Sequence, residues 1–205
     1  MIDKREHILN AAEELFAEYG FEGTSVRDLA KKAMVNIAMI SYYFGSKEQL
    51  MKALIQNRAG SFRQQIETLN KENLSPIDKV DLLIEYWVDR LFSHQKFHRV
   101  LNREISLQQR SAFNKTISEI MLGNFEEVKK IIINGQKKKL FRKVDVELTV
   151  ATLIGTISKV VQSSYLSCKI LNVDPDTNSI FSDKHKSRLK RHLKDLMHAH
   201  LLIKK

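Results

Sequence analysis

The chain has 205 residues, enough to bury a substantial hydrophobic core, and its single cysteine, Cys168, excludes a fold held together by disulfides. Only 7 Gly and 2 Pro favour helix throughout, and no apolar run suits a signal peptide or the ~18 residues of a membrane span, so we expect a cytoplasmic protein. The net charge of +10 is typical of proteins that bind nucleic acids. Acidic and basic residues are equal in number over residues 1–60, however, so the excess charge lies further along the chain. We interpret the basic clusters at 137–143 and 184–205 as solvated faces.

The first predicted helix begins near Asp3 and ends at Gly20. Asp3 and Glu6 can cap its N-terminus, and glycine is favoured at the left-handed position that follows a helix. Phe21 is then placed to pack back on Phe16. The apolar residues recur at helical spacing: Ile8, Ala12, Leu15, Phe16 and Tyr19.

Two shorter helices follow, joined by a tight turn. Ser25 and Asp28 form a capping box for the first of them, and Asn36 is a favourable N-cap for the second. Gly45 ends that helix, and a further capping box at Ser46 begins the fourth. This layout predicts a helix-turn-helix at about residues 25–44, within a DNA-binding domain of residues 1–50.

The third helix carries more apolar side chains than one face can bury. With Ile40 facing the core, Phe44 stays on the buried side, Ala38 and Tyr42 point away, and neighbouring residues lie on the flanks. In a helix-turn-helix the outward side lies in the DNA major groove. The alternative is that the rest of the protein buries this helix on both sides.

Residues 8–50, ILNAAEELFAEYGFEGTSVRDLAKKAMVNIAMISYYFGSKEQL, resemble the DNA-binding domain of the tetracycline-repressor (TetR) family of transcriptional regulators. The most specific parts are AAEELFAEYGFEGTSVRDLA, the YYF that closes the third helix and the SKEQL that opens the fourth. Beyond residue 50 the resemblance covers only helical architecture and length. It implies a homodimeric repressor that binds double-stranded DNA at an inverted-repeat operator and responds to a small-molecule effector.

The resemblance also assigns DNA-binding residues: Ile37, Ala38, Met39 and Ser41 for base reading, Ser25, Arg27, Tyr43 and Lys47 for phosphate contacts, and Tyr42 for either. Asn36 joins this set as the only amide nearby, although we expect its side chain to be occupied as the helix cap. Because Arg, Asn and Gln are absent from the outward positions, we expect Ile37, Ala38 and Met39 to pack on thymine methyl groups.

Met34 departs from the family pattern, which usually has glycine in this turn. A non-glycine residue held left-handed costs about 1–2 kcal/mol. Either the turn is strained, or its dihedral angles differ from those of the family.

Residues 51–205 are predicted to form a helical ligand-binding and dimerisation domain, which makes about nine helices in the whole all-α chain and no strand. Ser75, Pro76 and Asp78 mark a clear helix start. The last two helices are predicted at about 146–171 and 183–203, separated by the turn-rich NVDPDTNS.

The residue pattern of these last two helices predicts a dimer interface. A helix that is apolar on several sides must be buried on several sides, and a row of small residues allows close approach of another helix. The resemblance implies a four-helix bundle across a two-fold axis, although both helices could instead close the core of a monomer. The predicted interface residues are Ala151, Gly155, Ser158, Leu193, Leu196 and His200.

Catalytic and metal sites have weak support. The chain has no phosphate-binding glycine loop, HExxH motif or zinc-type cysteine cluster, and the pairs His94/His98 and His198/His200 lack further ligands. We therefore expect no enzyme activity, no metal and no cofactor. Cys168 is expected to be a buried small residue. For Arg103 and Glu104 the sequence leaves two alternatives open, an ion pair or a position in the lining of a pocket.

An effector pocket would lie among the helices after residue 50, and an apolar or amphipathic small molecule is the expected ligand. The candidate lining residues are Tyr86, Trp87, Phe92, Phe97, Phe113, Met121 and Phe125. The function predicted from all these patterns is a ligand-responsive, homodimeric transcriptional regulator. The alternative is a helical protein whose helix-turn-helix serves only protein contacts or dimerisation.

Overall fold

The computed structural model describes residues 3–106, 111–161, 165–174 and 178–203. These residues form ten α-helices, a 3-10 helix at Asn178–Phe181 and one β-bridge between Phe141 and Leu202. The predicted all-α class is confirmed. The helices are α1 (Lys4–Tyr19), α2 (Val26–Lys32), α3 (Ile37–Phe44), α4 (Lys47–Lys71), α5 (Pro76–Ser93), α6 (Gln95–Ser106), α7 (Ser111–Lys137), α8 (Val146–Val161), α9 (Tyr165–Leu171) and α10 (Asp183–Leu201).

The predicted helix at 146–171 corresponds to two of these elements, α8 and α9, on either side of residues 162–164, which lie outside the described part of the chain. Within that described part, no helix has the length and hydropathy needed to cross a membrane.

The helix ends follow the predicted capping residues. The Asp3 carboxylate accepts a hydrogen bond from the Arg5 backbone N–H at 2.9 Å, and Ser75 caps α5 with Pro76 in its first turn. Gly20 has φ 76° and ψ 172°, a conformation that is essentially restricted to glycine. The rings of Phe16 and Phe21 stack with centroids 5.5 Å apart, so the chain packs back on α1 as predicted.

The described residues belong to two compact units. The first, Met1–Phe62 with Lys96–Leu122, contains α1 to α3, the first part of α4, α6 and the first part of α7. Its core contains Ile8, Phe16 and Leu29, each at most 1% exposed. Ile40 belongs to the same core, which anchors α3 on α1 and α2.

The second unit is Arg63–Gln95 with Gly123–Lys205, and in it α5 packs along α10. Leu83 and Ile84 of α5 are almost fully buried, as are Leu193 and Met197 of α10. Ion pairs flank this apolar contact. Lys186 pairs with Asp89, Lys190 with Glu85 and Asp89, Lys194 with Glu85, and His198 Nε2 lies 2.8 Å from Asp81 Oδ1.

Candidate nucleic-acid interface

Side-chain caps define both helices of the predicted motif. The Ser25 hydroxyl accepts from the Asp28 N–H at 3.1 Å, and the Asp28 carboxylate accepts from the Ser25 N–H at 3.1 Å, which completes the predicted capping box of α2. Asn36 Oδ1 accepts from the Ala38 N–H at 3.0 Å and so caps α3. The Asn36 side chain is therefore occupied as expected.

The turn between α2 and α3 is a Schellman motif with Met34 at its left-handed position. Val35 N–H donates to the Ala30 carbonyl at 3.0 Å, and Met34 N–H donates to the Lys31 carbonyl at 3.2 Å. Met34 has φ 52° and is 83% exposed. Of the two alternatives that the sequence left open, the strained turn is the one observed.

The orientation predicted for α3 is confirmed. Ile40 and Phe44 are its two buried residues, at 1% and 8% exposure. Ala38, Ser41 and Tyr42 are exposed, and Met39 is half-buried on the flank. The first unit thus leaves an outward face on α3 that it does not cover, which argues against burial of this helix on both sides within that unit.

Exposed apolar and aromatic groups dominate this outward face. Ile37 is 43% exposed and Tyr42 is 83% exposed. The Tyr42 and Tyr43 rings meet edge to face at 5.2 Å, so each restricts the position of the other. Burying such side chains stabilises contact with an apolar surface such as a row of thymine methyl groups.

The basic and hydroxyl residues predicted to contact phosphate differ in how many of their hydrogen-bond donors are already used within the chain. Arg27 is exposed, whereas the Ser25 hydroxyl is already shared with Asp28. Lys47 Nζ donates to the backbone carbonyls of Phe21 and Thr24, both at 2.9 Å, and lies 4.2 Å from the centre of the Phe21 ring. Two of its three donors are therefore used to hold the α1–α2 connection onto the start of α4.

Sequence reasoning missed two further cations in the first unit. The Arg5 guanidinium lies 5.4 Å from the Phe44 ring, which places a charge beside the end of α3. Arg58 of α4 donates to Glu6 at 2.7 Å and to Glu13 at 2.8 Å on α1. Burial opposes the charge of Arg58, but the two carboxylates outweigh the effect of burial and hold the pKa of the guanidinium above its ordinary value.

Arg103 and Glu104 share no ion pair within the described residues. A Cβ atom at Gly20 would lie 2.6 Å from Arg103 Cζ, so the guanidinium packs closely on that glycine. Glu104 is 5% exposed, and burial raises the pKa of its carboxyl, with Arg103 opposing the shift.

The predicted pocket residues lie in different units. Phe97 and Met121 pack in the first unit, and the side chain of Phe113 lies outside the described residues. In the second unit Trp87 stacks on Phe125 with ring centroids 6.5 Å apart. Tyr86 is half-buried, and Phe92 meets Phe181 at 5.7 Å. A shared effector pocket at these residues stays a prediction.

The predicted interface set needs a correction at Leu193. This residue is 0% exposed, because it packs in the α5–α10 core of its own chain, so it has no surface left for a partner. His200 is also engaged internally, with Nε2 at 3.0 Å from Thr149 Oγ1. Ser158 and Leu196 are half-buried, whereas Ala151 and Gly155 are exposed.

Exposed apolar residues continue the surface of Ala151 and Gly155. Leu148 on α8 is 66% exposed, and Leu166 and Ile170 on α9 are 60% and 65% exposed. A Cβ atom at Gly155 would have no neighbour within 4 Å.

Among the described residues, no group of three His, Cys, Asp or Glu side chains could hold a metal ion.

Two family models together match most of the chain. The model described as bacterial regulatory proteins, tetR family, matches residues 8–54, and the model described as YsiA-like protein, C-terminal region, matches residues 55–182. The second match alone covers more than half of the chain.

Individual relatives agree with these matches. The chain is 32% identical over 151 residues to the HTH-type transcriptional repressor NicS of Pseudomonas putida, covering 73% of this chain and 71% of the relative. It is 26% identical over 178 residues to the fatty acid metabolism regulator protein of Bacillus subtilis, covering 86% and 91%. Alignments to some other curated relatives span less than half of those proteins.

A solved structure shares the fold over nearly the whole length. The fatty acid degradation regulator FadR from Bacillus halodurans superimposes with a TM-score of 0.76 at 22% identity, covering 95% of this chain and 96% of that one. With the capped helix-turn-helix and its uncovered α3 face, the family matches lead to one conclusion. The chain belongs to the TetR family of bacterial regulatory proteins and is a DNA-binding transcriptional regulator.

Proposed function

We propose that this chain is a homodimeric repressor that binds an inverted-repeat operator and leaves it when an amphipathic acyl ligand binds. The observation that carries the DNA-binding part is the outward face of α3, where Ile37, Ala38 and Tyr42 are exposed while Ile40 and Phe44 fix the helix to the core. DNA binding favours a cytoplasmic location, and regulation by binding requires no catalytic chemistry.

Readout of the operator is assigned to apolar contacts. Ile37, Ala38 and Met39 pack on thymine methyl groups, and Ser41 adds one hydrogen bond whose partner can vary. Arg27 and Tyr43 contact phosphates and set the position of the helix along the duplex. On this proposal residues 1–50 form the DNA-binding domain, and residues 51–205 bind the ligand and dimerise.

Dimerisation is assigned to the exposed apolar surface of α8 and α9, together with the outer side of α10. Leu148, Leu166 and Ile170 would be costly to leave in water, and Gly155 has room for a close helix approach. A two-fold axis through this surface relates the two α3 helices, which enter major grooves about one turn apart, ~34–36 Å, or somewhat further.

The effector is assigned to molecules with a long apolar chain. Support comes from the fatty acid metabolism regulator protein of Bacillus subtilis, to which most of this chain aligns. The predicted aromatic lining, which includes the stacked Trp87 and Phe125, suits an apolar chain.

The operator is tested first with the DNA upstream of the chain's own gene. Footprinting should protect an inverted repeat, and replacing thymine by uracil at the protected positions should weaken binding because only the methyl group is lost. Ile37→Ala should weaken the specific complex, whereas Ile105→Ala, which removes a similarly exposed isoleucine from α6, should not. If the uracil-containing operator bound as tightly as the normal operator, apolar readout would be wrong and readout of DNA shape would be the better explanation.

The ligand is tested on the complex with that operator. Palmitoyl-CoA should release the DNA, and coenzyme A alone should not, because the free coenzyme lacks the apolar chain. Release by coenzyme A alone, or tight DNA binding that palmitoyl-CoA leaves unchanged, would exclude acyl chains as the effector while leaving the DNA-binding assignment intact.

A further inference from the structure

We infer that the second unit contains a binding site for a small carboxylate with an apolar body, in a cavity between α8, α9 and α10. The cavity has a volume of about 220 Å³. We call it the α10 cavity. Its described lining residues are Thr156, Leu171, Ile180, His185, Arg188, Leu189 and His192.

The lining of the α10 cavity also includes donors suited to an anion. Arg188 Nη1 donates to the Leu171 carbonyl at 2.8 Å, which fixes the guanidinium and leaves its other N–H groups for a ligand. His185 Nδ1 lies 2.9 Å from Ser182 Oγ, so its ring is also oriented. His192 adds a second imidazole, and no acidic side chain is among the described lining residues.

Arg188 differs from the lysines of α10 that face α5. Lys186, Lys190 and Lys194 face α5 and each pairs with a carboxylate there. Within the described part of the chain, Arg188 has no carboxylate at ion-pair distance, and its one hydrogen bond goes to a neutral carbonyl. A carboxylate in the cavity would supply the bidentate partner that a guanidinium favours.

Three of the described lining residues are aliphatic. Ile180 and Leu189 are 3% and 7% exposed, and Leu171 is half-buried. One permanent cation together with three aliphatic side chains favours a singly charged ligand with an apolar body. A free phosphate would leave the aliphatic side chains without a partner.

The volume limits the size of the ligand. About 220 Å³ is below the roughly 300–1,000 Å³ of pockets that hold drug-sized molecules. It equals the volume of roughly seven liquid waters at ~30 Å³ each. Carboxylates of that size, such as hexanoate and benzoate, are therefore the probes of choice.

This site is separate from the proposed acyl effector. The seven lining residues that the structure describes include none of those predicted for the effector pocket, and occupation of the cavity requires neither DNA nor a long acyl chain. Binding to the DNA-free protein therefore tests the site independently of the proposed operator and acyl effector.

The test measures hexanoate and benzoate binding to the full chain by calorimetry, while the imidazole signals are followed by NMR. Hexan-1-ol and benzyl alcohol are the uncharged controls. Both carboxylates should bind in the micromolar to millimolar range and shift signals assigned to His185 and His192. The alcohols should bind at least tenfold more weakly.

Arg188→Gln should weaken carboxylate binding about tenfold or more, because it removes the charge that the ligand pairs with. The matched control is Arg191→Gln, since Arg191 is an exposed arginine on the same helix outside the lining. Thr156→Leu, which fills the cavity, is a second variant, and circular dichroism checks that each one folds. Absence of carboxylate binding, equal binding of the alcohols, or equal affinity of both arginine variants would overturn the site.

Discussion

Replacing Met34 with glycine should stabilise the protein, although it removes a large side chain. Met34 occupies the left-handed position of the α2–α3 turn with φ 52°, where a side chain costs about 1–2 kcal/mol. Glycine removes this cost but gives the unfolded chain extra freedom that offsets about 0.4–1 kcal/mol. Because Met34 is 83% exposed, little burial is lost. The expected net gain is about 0.5–1 kcal/mol.

Thermal unfolding followed by circular dichroism measures this gain. For a chain of this length it corresponds to a rise in Tm of roughly 1–4 °C. Met34→Ala is the matched control, because alanine also loses the exposed side chain but retains the left-handed penalty. Asn172→Gly is a second control at φ 56°, where a smaller gain is expected because asparagine tolerates this conformation. If Met34→Gly were no more stable than Met34→Ala, the argument for strain in this turn would fail.

Three further predictions concern Lys47, the exposed Gly155 and the ion pairs between α5 and α10. Lys47→Met should lower the free energy of unfolding by about 1–2 kcal/mol in denaturant unfolding, because the backbone carbonyls of Phe21 and Thr24 lose a charged donor. An unchanged free energy of unfolding would show that the two hydrogen bonds make no net contribution to stability. Gly155→Glu should convert a dimer to monomer in sedimentation without unfolding it, since its Cβ has open space within the chain, and an intact dimer would place the interface elsewhere. Burial opposes the charge of Glu85 and Asp89, but the lysine partners outweigh burial and lower the pKa of Glu85 below 4.5 and that of Asp89 below 3.8. The two carboxylates therefore stabilise the fold at a pH above these ordinary values. This stabilisation is lost as the pH falls through the lower pKa values of the folded state. Urea unfolding should therefore show a shallower acid loss in Lys190→Met than in the native chain, and equal slopes would contradict this.

The local features of the first unit were predictable from the sequence. Ser25, Asp28 and Asn36 cap helices through partners two or three residues away, so the pattern itself contains both members of each contact. The orientation of α3 followed from helical period alone once Ile40 was assigned to the core. Contacts of this range depend little on the rest of the fold.

The role of Lys47 was not predictable in the same way. Its acceptors are the carbonyls of Phe21 and Thr24, 26 and 23 residues earlier in the chain. Backbone carbonyls carry no sequence signal, since every residue has one. The α10 cavity was missed for a related reason, because Thr156, Leu171 and Arg188 become neighbours only when three elements pack.

The correction at Leu193 shows what helical period leaves undetermined. The apolar stripe on α10 was assigned to a partner chain, but α5 of the same chain covers Leu193. Periodicity indicates that a face is buried without indicating which surface buries it. The acidic positions of α5 contained the missing information. Asp81, Glu85 and Asp89 recur every four residues, and they meet basic positions of α10 that also recur every four.

This pairing also changes the interpretation of the net charge. Several cations of the cluster at 184–205, interpreted from sequence as a solvated face, are half-buried partners of α5 carboxylates. These cations form ion pairs within the second unit, whereas the predicted base-reading residues of α3 are uncharged. A charge of +10 is therefore a poor guide to the DNA contacts of this chain. The salt dependence of operator binding should reflect the few phosphate contacts near α2 and α3 rather than the total charge, and a slope that fell when Lys190 was replaced would contradict this assignment.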